Sequence, residues 1–244
     1  MTPQSPDEPF SLFDDPELEA VFSRSSPADT LAAVLTEARV VLSEIDNPLD
    51  AELWGSDIVA ALGSGSDPAE AIVPATERAG TPEAMATLLV LAAVASGSLR
   101  GAARAAADRL AAAGVSEPSW AEGLGAPTPG QCWCYGDTRG QLEAVTMSFW
   151  YGDQGHVVSV LLDRDQGGGI KNIWVGESAD VLERTRRMSE IDSKVIFEMI
   201  TQADARGRVD RAIAAGECPQ LPEEVGSVAS RRAVLRARAA LLKR

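Results

Sequence analysis

Histidine occurs once in the 244 residues. A single imidazole excludes every metal motif built on two histidines and every histidine dyad. Cysteine occurs three times, an odd number that cannot complete a disulfide framework in a chain this long. No G-x-S-x-G, paired C-x-x-C or dinucleotide fingerprint is present. Gly167-Gly168-Gly169 lacks the lysine and Ser/Thr of a phosphate loop and precedes an expected strand rather than a helix. The most apolar stretch, Ala84 to Ala95, falls short of the roughly 20 residues that span a bilayer. Met1 to Glu19 is rich in proline and acids, without the basic and apolar regions of a signal peptide. The expectation is a cytosolic protein with reduced thiols.

Basic residues are also short, 22 against 36 acids, for a net charge of −14. Whole-surface attraction to nucleic acid or anionic lipid is thereby disfavoured. The charge is uneven. Residues 1–63 carry 13 acids and 2 bases, whereas residues 227–244 carry 6 bases and no acid. The basic tail either packs on the chain's own acidic front, lies as a solvated helix, or offers a small contact to an acidic partner.

What is present reads as an α+β protein. Residues 1–25 form an acidic leader with scattered apolar residues, Phe10 and Phe13 among them, expected to fold back on the domain or dock on a partner. Residues 26–125 read as an all-helical bundle of five helices. Leu88 to Val94 cover most of a helix's circumference, which places that helix at the buried centre. Pro74 is expected to kink or end the third helix, and Asn47-Pro48 to stop the first. From Gln131 the pattern changes to β-branched and aromatic runs separated by glycine-rich turns. These predict a four-stranded antiparallel meander over about 131–176. Helices return over about 179–242, including Lys194–Ala203 and a C-terminal helix from Gly226 to Leu242. The second domain is therefore about 130–244.

Few residues invite chemistry. Cys132 and Cys134 share one face of a strand and, with His156 and Cys218, supply the inventory of a structural zinc site. The C-x-C spacing is tighter than usual zinc spacing, and buried cysteines beside Trp133 are the plainer reading. His156 begins the third strand, and Asp163 and Asp165 end it on a shared face, a weak divalent-cation pattern that a hairpin loop also produces. His156 and Asp163 are seven apart and face opposite ways, which disfavours a dyad. Trp133, Trp150 and Trp174 lie in strands; a stacking platform for bases is one reading, but acids outnumber the bases beside them and packing accounts for them better.

Asn47-Pro48-Leu49-Asp50-Ala51-Glu52-Leu53-Trp54-Gly55-Ser56, with Phe149-x-Tyr151-Gly152-x-x-Gly155-His156-Val157-Val158 and Leu161-Leu162-Asp163 before Gly167 to Lys171, resembles a family of acidic actinobacterial proteins. The resemblance runs from about residue 26 to 242. It implies a helical front domain followed by a sheet-containing one, and brings no activity, cofactor or catalytic residue.

Two functional expectations follow. The first is a non-enzymatic cytosolic interaction or regulatory module with a protein partner and no cofactor, meeting it through the leader (Phe10, Phe13), the groove between domains, and the basic helix (Arg231, Arg232, Arg236, Arg238). The second is a small-molecule or metal-dependent enzyme with its site at the loop end of the sheet, built from His156, Asp163, Asp165 and the cysteines. Nucleic-acid contact would be confined to the basic C-terminal helix.

Overall fold

The computed structural model describes residues 27–63, 66–177, 181–218 and 225–244. The acidic leader, with Phe10 and Phe13, lies outside the described residues. Among the described residues five helices come first: α1 (Pro27–Glu44), α2 (Pro48–Leu62), α3 (Ser66–Ala79), α4 (Pro82–Val94) and α5 (Gly97–Ala112). Asn47 does more than end α1. Its side-chain carbonyl accepts the Asp50 N–H at 2.9 Å, and Pro48 behind it starts α2 with a preset φ. Thr81 and Pro82 start α4 in the same way. Pro74 does not end its helix: α3 runs through it, held by Ile72, Val73 and Thr76 in the bundle core. Burial of those three side chains outweighs the lost backbone hydrogen bond.

α4 is buried from Ala84 to Leu91 and forms the centre of the bundle, as its all-round apolar sequence predicts. α2 crosses it closely at Gly55, where a Cβ would lie 2.8 Å from Val90 Cβ.

A single turn of 3-10 helix at Ser119–Ala121 leads to the sheet. β1 (Thr128–Asp137), β2 (Leu142–Tyr151), β3 (Gln154–Asp163) and β4 (Gly169–Glu177) form the expected meander. The sheet has five strands, not four. After α6 (Val181–Ile191), the segment expected to be helical from Lys194 to Ala203 instead forms β5 (Val195–Ile200), antiparallel to β1, and the order is β4-β3-β2-β1-β5. Val-Ile-Phe-Glu-Met-Ile is too short for its periodicity to distinguish helix from strand, and its ladder partner lies some 60 residues earlier. α7 (Gln202–Ala215) and α8 (Val225–Leu241) close the chain.

One sheet face carries Val145, Met147, Phe149, Val158, Val160 and Val175 and is covered by α7 and α8. α8 has a second neighbour, because it lies between the sheet and α2. Leu53 of α2 and Val94 of α4 belong to the same core as the sheet. The groove expected between a helical and a sheet domain is therefore filled by α8. The other face carries Trp133, Thr146, Ser148, Trp150, Val157, Ser159, Trp174 and Met199 by register.

Candidate functional site

Two places combine unusual residues: a polar cluster inside the molecule and an aromatic strip on its surface. The cluster forms where α2, β2, β3 and α8 meet. Glu52 and Arg238 are each 0% exposed and His156 2%. Arg238 ion-pairs with Glu52 through Nη2, and the same nitrogen donates to the Tyr151 hydroxyl at 3.2 Å. Its Nε donates to His156 Nε2 at 3.0 Å. The other oxygen of Glu52, Oε1, accepts both the Gly125 N–H at 2.7 Å and the Tyr151 hydroxyl. The carboxylate is thus surrounded by donors, as a buried charge requires. Arg238 Nη1 is the exception, buried with no hydrogen-bond partner. The guanidinium carbon sits 5.6 Å from the ring centroids of both Phe149 and Tyr151, so π faces provide part of its compensation.

His156 stacks against the same two rings, at 5.7 and 5.5 Å between centroids. Burial, and then the charge of Arg238, push its pKa down to about 3. It is a neutral acceptor whose proton sits on Nδ1. Burial raises the Tyr151 hydroxyl well above its ordinary value; Arg238 opposes that shift and Glu52 adds to it. A neutral imidazole and a paired carboxylate closed off from solvent, with a half-buried protonated phenol between them, suit a structural joint better than proton transfer to a substrate.

The other residues singled out from sequence are dispersed. Asp163 pairs with Lys171 at 3.3 Å and accepts the Gln166 N–H at 3.2 Å. Asp165 accepts from the Gln141 side chain at 2.8 Å. Both carboxylates fasten loops. Cys132 packs in the sheet core, where burial lifts its thiol to about 11. Cys134 lies beside Arg208, and burial raises its thiol too. Cys218 is buried where its backbone pairs with Ile170. The zinc inventory does not assemble: among the described residues no three His, Cys, Asp or Glu side chains gather as metal ligands.

The basic helix also needs correction as a partner surface. Arg238 is sealed inside, Arg231 reaches Asp57 at 3.2 Å with both side chains largely buried, and Arg232 pairs with Glu217 at 2.8 Å. Arg236 alone of the four is exposed. Arg231 and Arg238 meet acids of the chain's front, Asp57 and Glu52, whereas Arg232 pairs with Glu217 near its own helix. A second polar joint was not visible in sequence. Glu143 of β2 ion-pairs with Arg164 and with Arg208 of α7. Burial pushes its carboxyl up, but the two guanidinium groups together hold it below the usual range.

The surface strip lies on the second sheet face, whose middle (Trp133, Thr146, Ser148, Val157) is buried and whose Trp150 and Trp174 reach solvent. Trp150 is 41% exposed and Trp174 44%. Each indole leans over a neighbouring glycine on its own face. A Cβ on Gly176 would fall 2.4 Å from the Trp174 ring, and one on Gly130 would fall 3.0 Å from Trp150 Nε1 and 2.6 Å from Ser148 Oγ. Ser148, Val157 and Gly176 are register neighbours, so both rings lean toward one cross-strand row. Trp133, also on this face, is 1% exposed, and its indole N–H has no acceptor. Glycine beside tryptophan at alternate positions (Trp174-Val-Gly176) was the available sequence signal for this arrangement.

Among the described residues no helix is long and apolar enough to cross a membrane. No protein-family model, curated protein or solved structure matches the chain.

Proposed function

We propose that this chain is a cytosolic protein–protein interaction module without catalysis of its own, and that its contact surface is built on the exposed residues of the second sheet face, Trp150 and Trp174. One observation carries the reading: two large indoles stand half exposed beside glycines, while His156, Glu52 and Arg238 are closed inside. Indoles bring large, stiff contact area at little entropic cost, which makes tryptophan a frequent anchor of interfaces. Monomeric proteins seldom leave such side chains in solvent together without use. The enzyme reading finds no gathered site to support it, since His156, Asp163, Asp165 and the cysteines each have a separate structural partner.

A photo-crosslinking amino acid at position 174 of the full chain tests the proposal, with one at exposed Val40 of the helical half as control. Discrete crosslinked protein species from position 174 and not from position 40 support it. Crosslinks that are identical from both positions, or absent from 174, contradict it.

A further inference from the structure

β5 is an edge of the sheet. β1 pairs with one side of it, and among the described residues no strand pairs with the other. Its six residues, Val-Ile-Phe-Glu-Met-Ile, hold no proline, and no bulge interrupts their ladder with β1. An apolar edge of this kind is a template for pairing with another chain. Eight large apolar side chains are exposed among the described residues, and four of them, Met188, Ile191, Ile196 and Met199, lie on β5 or on α6 just before it. α6 packs on β5 yet buries none of its own side chains. The described chain leaves this end of the sheet incompletely covered.

The backbone and the charges narrow what can pair there. Lys194 C=O accepts the Thr138 N–H at 2.8 Å on the β1 side. Pairing direction alternates along a strand, so Val195, Phe197 and Met199 turn their backbone groups outward. Of these, the Val195 N–H is taken by Asp192 C=O at 2.9 Å. Lys194, Ile196 and Glu198 alternate onto one face, and all three are exposed. Neither Lys194 nor Glu198 has an ion-pair partner among the described residues. A lone charge on an edge strand discourages pairing. Two of opposite sign, equally spaced about an apolar residue, are instead complementary to themselves when the strand is turned end for end.

We infer that β5 pairs antiparallel with β5 of a second copy about a two-fold axis at Ile196, joining two five-stranded sheets into one. Lys194 of each copy then lies opposite Glu198 of the other, Ile196 meets Ile196, and Val195 lies opposite Phe197. The Phe197 N–H of each copy reaches the Val195 C=O of the other. Other registers are penalised. Centring on Glu198 or on Lys194 sets like charges opposite, and centring on Val195 sets Glu198 against Asp192. Centring on Phe197 sets both charges against isoleucines. The five paired residues span about 17 Å, a small contact beside a standard interface of about 1,600 Å², so the dimer is reversible and dilution dissociates it. This surface is separate from Trp150 and Trp174 and stands or falls without them.

Sedimentation equilibrium of the full chain, over a wide range of concentration, tests the pairing and its register together. Wild type is expected to pass from monomer to dimer. Lys194→Glu and Glu198→Lys should each weaken association about tenfold, with thermal unfolding of the monomer unchanged. Mixing those two single variants should restore association, because each then sets its altered charge opposite the other's native one. Ile196→Cys should form a disulfide-linked dimer on mild oxidation, since residues facing across the axis lie within disulfide range and the native thiols are buried. Glu198→Cys should not. A wild type that stays monomeric throughout overturns the inference. So does a dimer indifferent to both charge variants, or one that crosslinks as readily from position 198 as from 196.

Discussion

Glu52 and Arg238 stand 186 residues apart in the chain and form an ion pair sealed from solvent. They belong to α2 and α8, and Arg231 meets Asp57 one step along the same antiparallel pair of helices. The acidic front and basic tail of the sequence are thus joined in the interior, and the joint aligns the helical half with the sheet through Tyr151 and His156.

Removing one partner should cost far more than removing both. Glu52→Gln leaves a buried guanidinium uncompensated and is expected to lower unfolding free energy by about 3–5 kcal/mol. Arg238→Met alone strands the carboxylate at similar cost. The double variant Glu52→Met, Arg238→Met removes both charges and should recover most of the loss. Urea unfolding of these proteins, with Glu52→Met as the matching single variant, reads the coupling directly.

His156 gives the protein a defined acid sensitivity. Its folded pKa, about 3, lies below the ordinary 6.5, so the unfolded chain takes up a proton that the folded chain refuses. Stability from this group is fully present above pH 6.5 and is lost as pH falls toward 3, with a slope of up to about 1.4 kcal/mol per pH unit. His156→Gln keeps an acceptor for Arg238 and should flatten the profile between pH 5 and 6.5, above the range where most carboxylates contribute. Thermal unfolding of both proteins across that window checks the difference.

Much of the scaffold is legible in the sequence. The apolar circumference of α4 announced a buried helix, and the glycine-rich turns after Gln131 announced four strands. β5 escaped because six residues do not reveal a period and its partner is remote. α3 passes through Pro74 because the flanking side chains are needed in the core. At the polar cluster, His156 was conspicuous as the only histidine, but its partners were not, since nothing local relates Glu52, Tyr151 and Arg238. An acid within the buried run Ala51 to Ile58, and arginines seven apart between the apolar rows of α8, were the available hints.

The Glu143 joint should be weaker than the Glu52 one, since Arg164 is half exposed and Arg208 partly so. Glu143→Gln is expected to cost about 1–3 kcal/mol, enough to detach α7 from β2 locally. Hydrogen exchange should then speed up in α7 and remain unchanged in α4.

All three thiols are buried and free. Burial lifts Cys132 to about 11, far from the thiolate form at neutral pH. A thiol reagent at pH 8 should therefore label none of the three quickly in the native protein and all three after denaturation. Fast native labelling of Cys132 or Cys134 would place them in a reactive setting instead.

The division of labour between interior joint and exposed tryptophans is tested most directly by comparing two variants side by side, scoring each for stability and for position-174 crosslinking. Trp150→Ala is expected to unfold within about 1 kcal/mol of wild type and to lose its crosslinked partners. Glu52→Gln is expected to be markedly destabilised yet, below its unfolding transition, to retain them. The opposite pattern, with partners kept by Trp150→Ala and lost by a folded Glu52→Gln, would contradict the account.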